Sequence, residues 1–128
     1  MPLVHHELCF GCGRTNLFGL LSELDRTEEG VVTGRCFIKQ DHQGPQRAVA
    51  HEGVTAAALS EAMSFACGEH MRATSIELRL DGRVPVGAFL TVEAQALDLP
   101  DGALQASATA RVDDEPVARA RGTYESVR

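Results

Sequence analysis

No stretch of this 128-residue chain stays apolar long enough to cross a bilayer, which excludes a membrane-spanning helix. Low-complexity tracts and internal repeats are missing, so a disordered or repeat architecture is not expected. The chain also lacks a basic stripe. Its formal charge is -6 and its basic residues, nearly all arginines, are scattered, which argues against a nucleic-acid partner. The opening "MPLVHHELCFGCG" has no charged-then-apolar export pattern, so reduced thiols and a cytoplasmic address are the expectation. Within it His6, Cys9 and Cys12 are closely spaced soft ligands, but no second CxxC and no downstream CxxH completes a zinc set. The segment therefore reads as an unmetallated turn, with no metal. His5, His6 and His70 read as surface residues.

What remains is an ordinary globular composition, 44% hydrophobic and 23% charged, with length for a single domain over 1–128. Residues 17–25, "LFGLLSELD", and 31–38, "VVTGRCFI", read as two strands joined by the turn "RTEEG". A polar loop, "KQDHQGPQRAVA", follows. Four later segments, "TSIELRL", "AFLTVEAQAL", "ALQASATARV" and "EPVARARGTYES", alternate with period two. Between these groups lies "AVAHEGVTAAALSEAMSFACGEH", rich in alanine, free of proline and too long for a strand. It predicts a helix from about 52 to 69, with small residues on nearly every face and hence enclosed on all sides. Two strands, a buried helix and four strands give an α+β fold in which an antiparallel sheet of about six strands wraps a long central helix. A sheet with one covered face often needs a second copy at its edges.

The ordered motifs resemble the PaaI-like hotdog-fold acyl-CoA thioesterases over nearly the whole chain. "CFGCGRTNLFGL" is similar to an N-terminal CxxCGxxNPxGL element, with Leu17 where proline is usual. "HQGPQRAVAHEGV" resembles an HQG…HGG element, "ALSEAM" an LLDEAM, "RVPVG" a proline-glycine turn, and "PVARARGTY" a closing strand. The resemblance implies a hotdog domain in a homodimer or homotetramer, with sites at the dimer interface. It implies an acyl-CoA or related thioester as partner, no membrane or nucleic-acid partner, and no cofactor beyond the coenzyme A of the substrate. In that family the backbone N–H after the motif histidine polarises the thioester carbonyl. A carboxylate nine residues further on, usually from the partner subunit, is base or nucleophile.

Physical chemistry supports the first of these roles independently. A helix N-terminus offers unpaired N–H groups where an oxyanion would develop, and Gly53 permits close backbone approach. A thiolate leaves easily, so one oxyanion hole and one base suffice. Here Ser60 stands nine residues past His51, and Glu61, the only carboxylate of the helix interior, follows it. The resemblance makes Glu61, Ser60 and His51 the catalytic candidates. Glu61 is either a base with a pKa raised by apolar surroundings or a structural acid. Ser60 either orients water or is a small packing residue, and His51 either touches substrate or organises the first helical turn. Substrate-binding candidates are Glu52 (which replaces the first glycine of HGG), Gly53, His42, Gln43, Gly44, and Thr74 or Ser75 near the next strand. Arg47, Arg72 and Arg83 are candidates for coenzyme A phosphates. A ligand-binding protein of this fold without turnover is the rival. A hydratase of the same fold would need different spacing, since Gly53 and Glu61 lie eight apart.

Overall fold

The computed structural model describes residues 2–68 and 70–126. Its elements are β1 (Glu23–Glu28), β2 (Val31–Phe37), a 3-10 turn (Gln40–His42), α1 (Glu52–Cys67), β3 (Met71–Leu80), β4 (Phe89–Asp98), β5 (Leu104–Val112) and β6 (Glu115–Ser126). All six strands form one antiparallel sheet in the order β1-β2-β4-β5-β6-β3. The helix lies across one face of it, chiefly against β4 and β5.

Alternation explains which face is covered. Leu90, Val92 and Ala94 on β4, Ala106, Ala108 and Ala110 on β5, and Ala118 and Ala120 on β6 are all buried. Their small side chains let the sheet meet a helix that presents Ala58, Ala62 and Ala66, while Leu59, Met63 and Phe65 fill the remaining volume. Beyond Gly53 no described residue of α1 is fully exposed, which is the enclosure expected of its composition. The helix ends at Cys67, and the last residue of the predicted span, Glu69, lies outside the described residues. Arg26, on β1, donates to the Phe65 carbonyl at 2.8 Å and caps that end.

One strand expectation is corrected. Residues 17–22 are not part of β1, which begins at Glu23. Their backbone pairs instead with the N-terminal segment, through Leu20 N–H to the Phe10 carbonyl (2.7 Å) and Ser22 N–H to the Gly11 carbonyl (2.9 Å). Leu21 sits at φ 50, which breaks any extended run. The β1–β2 connection is correspondingly short, with Arg26 and Glu28 in the ladder and the turn made by Glu29 and Gly30.

Candidate functional site

The start of α1 is assembled from three segments. The loop after β2 turns back so that the His51 N–H donates to the His42 carbonyl at 2.8 Å. Gly44 packs on His51, where an added Cβ would come within 2.8 Å of the His51 Cα. The turn after β3 pairs with the same approach: Ala50 N–H donates to the Val84 carbonyl (2.8 Å) and Val86 N–H to the Ala48 carbonyl (2.9 Å). His42, Gly44, His51, Glu52 and Gly53 are thereby brought together, as the motif order implies.

The imidazole of His51 caps the helix, its Nδ1 accepting the Gly53 N–H at 2.8 Å. That nitrogen is thus an acceptor, so the Glu52 carboxylate 3.9 Å away gains no proton-mediated pairing from it. Val54 and Thr55 N–H groups go to the His51 carbonyl. Among the described residues, the Glu52 N–H is left as the unspent donor of the first turn. Glu52 itself is exposed.

His42 is buried, its Nδ1 accepting the Lys39 N–H at 3.0 Å. Its Nε2 is buried without a hydrogen-bond partner among the described residues. Burial and the Lys39 charge hold its pKa below the ordinary histidine value, against smaller opposing contributions from the Gly19 backbone and the Asp41 carboxylate. The Gln43 amide is occupied within its own loop, donating to the Gln40 carbonyl (2.9 Å) and accepting the Ala48 N–H (2.7 Å). Arg47 and Arg83 are exposed on the two segments joined by the Val49–Pro85 bridge, and neither forms an ion pair among the described residues.

The other candidates sit elsewhere in the chain. Between His51 and Glu61 the helix rises about 15 Å. Ser60 faces β6, where the buried Tyr124 hydroxyl donates to its carbonyl at 3.2 Å and lies 3.5 Å from its Oγ. Glu61 turns toward the N-terminal segment: its Oε1 is 2.8 Å from His5 Nδ1 and accepts the Cys9 thiol at 3.4 Å. Burial alone would raise the Glu61 pKa, but hydrogen bonds from His5 and the Cys12 and Cys9 thiols outweigh it and hold the carboxyl below its usual value. This direction is opposite to the one the apolar helix composition implies. The hydrogen bond to Glu61 pushes His5 up to about 9. Thr74 sits at a bulge in β3 and donates to the Thr123 carbonyl, and Ser75 is exposed beside it.

Sequence reasoning missed His5. Both tandem histidines are expected at the surface, with His6 in the soft-ligand group; His5 is indeed exposed, but it is its ring that reaches Glu61 and stacks on Phe65 at 4.0 Å. His6 is exposed; its ring accepts the Leu8 N–H and its carbonyl the Cys9 N–H, both within its own turn. A coil segment has no periodicity that distinguishes one histidine from the next.

No family model matches the sequence, and no curated relative does. Solved structures do match the fold. The chain is similar to protein RHA08564, a thioesterase superfamily protein, with 20% identity, a TM-score of 0.79, and coverage of 88% of this chain and 60% of that one. It is similar to the Escherichia coli PaaI protein from the phenylacetic acid degradation operon (16% identity, TM-score 0.77, 85% of this chain and 81% of that one). Protein PH1136 from Pyrococcus horikoshii is matched over 100% of this chain and 95% of its own, at 15% identity and TM-score 0.79. The chain thus spans less than two thirds of the first of these proteins and most of the other two. Among the described residues no helix is long and apolar enough to cross a membrane. A six-stranded antiparallel sheet around one helix, shared with PaaI and a thioesterase superfamily protein, gives this chain the hotdog fold.

Proposed function

We propose that this chain hydrolyses a small-molecule acyl thioester of coenzyme A, bound at the start of α1 in a site completed by a second copy. The observation that carries the reading is the unspent Glu52 N–H on a helix N-terminus whose neighbouring N–H is already taken by His51. One free donor with a partial positive charge behind it suits a thioester carbonyl that gains negative charge during attack. Arg47 and Arg83, exposed on adjacent segments, would meet coenzyme A phosphates in this reading, which their exposure supports. Glu61 is the candidate base only where it is released from His5 and Cys9, which engage it here, and reaches the helix start of a second copy.

A second reading has its own support. Ser60 occupies the position where the resembling family carries its acid, and the Glu61 carboxylate is engaged by His5 and Cys9. A protein so arranged would bind an acyl or aromatic ligand without turnover. A panel of acyl-CoAs assayed with a thiol-trapping reagent separates the two. Hydrolysis above background supports the thioesterase. Its absence across the panel, with thermal stabilisation by one of the ligands, supports the binder. If Glu61 is the base, Glu61→Gln lowers turnover by a factor on the order of 100 or more. Turnover equal to the parent's makes Glu61 structural. An inert parent with an active Ser60→Asp variant identifies a thioesterase scaffold that has lost its acid.

A further inference from the structure

Four groups from distant parts of the chain converge on the outer side of α1: His5, Cys9 and Cys12 from the N-terminal segment and Glu61 from the helix. One donor atom of each lies within 4.8 Å of all the others. We propose that these residues form a tetrahedral zinc site that fastens the N-terminal segment to the central helix.

Geometry supports the assignment first. Zinc bonds of about 2.3 Å to sulfur and about 2.0 Å to nitrogen or oxygen, at tetrahedral angles, place neighbouring donors roughly 3.3–3.8 Å apart. Cys9 Sγ is 3.4 Å from Glu61 Oε1 and 3.7 Å from His5 Nδ1, and Cys12 Sγ is 3.5 Å from the same nitrogen. Of these four pairs the His5–Glu61 separation, 2.8 Å, is the short one, the length of the hydrogen bond now joining them, and the Cys9–Cys12 and Cys12–Glu61 pairs lie within 4.8 Å. A small outward movement of the imidazole brings it to the same spacing. Both thiols are free, so nothing covalent competes for the sulfurs.

The surroundings are those of a ligand site. His5 Nε2 lies 3.3 Å from Ser64 Oγ and the ring stacks on Phe65, which together fix the imidazole with Nδ1 toward the sulfurs. The His5 backbone N–H donates to Cys12 Sγ at 3.1 Å, the kind of outer bond that steadies a metal-bound sulfur, although burial pushes the metal-free thiol up. Gly11, between the cysteines, packs on the Glu61 carboxylate so closely that a Cβ there would reach 2.4 Å from its Cδ. Any side chain at position 11 would push the carboxylate out of the cluster.

Two thiolates, one imidazole and one carboxylate form a closed set of borderline-soft donors, which suits a structural zinc rather than a hard cation or an open catalytic metal. On binding, each cysteine releases its proton to solvent, as does Nδ1 of His5 where it is protonated. Zinc with two thiolates and one carboxylate then carries one net negative charge. The device has a purpose in the fold. The segment before β1 contains only turns, and its other backbone ties to the body are few, such as Leu3 N–H to the Leu24 carbonyl.

Zinc content is measured without substrate and so does not depend on the thioesterase reading. A zinc-bound Glu61, however, is not free to act as base, so a loaded site removes Glu61 from that role and leaves the helix start as the thioester site. The full chain is equilibrated with zinc under reducing conditions, desalted and analysed for metal. About one zinc per chain is expected, and less than about a tenth would overturn the site. Cobalt replacement is expected to give visible tetrahedral ligand-field bands and a thiolate charge-transfer band; an octahedral spectrum without the latter would overturn it. Cys9→Ser and His5→Gln, at partly exposed positions that spare the core, are expected to lower zinc affinity by a factor of about 10 or more, at least the loss that removing an outer-shell partner of a ligand causes. His6→Ala should match the parent. Zinc retained unchanged by both ligand variants, or lost equally in His6→Ala, would overturn the assignment. Strong chelators are expected to lower the parent's Tm by about 5 °C or more while leaving the ligand variants unmoved.

Discussion

His42 contains the one buried side-chain nitrogen without a hydrogen-bond partner among the described residues. The cost of charging it has a definite sign. Its folded pKa lies below the ordinary value of 6.5, so the unfolded chain takes up the proton more readily. The His42 contribution to stability is complete above pH 6.5 and is lost as pH falls from there through the folded pKa. Urea unfolding midpoints measured across this window should decline for the parent and decline less for His42→Gln. Equal slopes would remove His42 as the cause. At this scale the sequence was legible where a residue acts on its own backbone. His51 before a helix is an N-cap candidate from its position alone, and Asn16, which accepts the Phe18 N–H, is a turn former by its chemistry. The partner of Glu61 was not legible, because the atoms that hold it come from residues 5 and 9, more than fifty positions away.

At the scale of elements, period-two alternation located β3 to β6 closely, since one covered face forces every second residue inward. β6 matches its predicted span, and β5 differs by one residue at its start. The two are joined by Asp113 and Asp114 at φ 50 and 67, a two-residue turn with both residues left-handed. Aspartate tolerates this conformation less well than glycine. Asp114→Gly should therefore stabilise the domain by about 0.5–1 kcal/mol. Chemical denaturation would check it, and a loss of stability would mean that the carboxylate makes a compensating contact. The 17–22 stretch misled because apolar residues in a coil that pairs with another coil look like a strand. Leu20, 1% exposed, is buried like the inward residues of the strands.

At the scale of the molecule, the sheet ends in β1 on one side and β3 on the other. Ile76 and Leu80 share a face of β3 with the partly buried Leu78, yet remain 42% and 47% exposed. An edge strand with free ladder groups and uncovered apolar side chains is a surface for a second copy. Sedimentation at micromolar concentration should give a dimer or tetramer, and Ile76→Lys should shift the parent toward monomer. A strictly monomeric parent would remove both the interface and the shared site at the start of α1.

By itself the sequence determined the elements and their order, because hydrophobic period, glycine and proline punctuation and a long alanine-rich run are local signals. It also determined that one glutamate lies inside the helix. Which way that glutamate turns was decided only in three dimensions. A helical side chain's neighbours depend on what packs over its face, and the cover here is an N-terminal coil whose course is set by backbone pairing to residues 20 and 22 and to Leu24. The gathering of His5, Cys9, Cys12 and Glu61 is therefore a property of the tertiary structure, made where a segment without periodicity closes over a helix that has it.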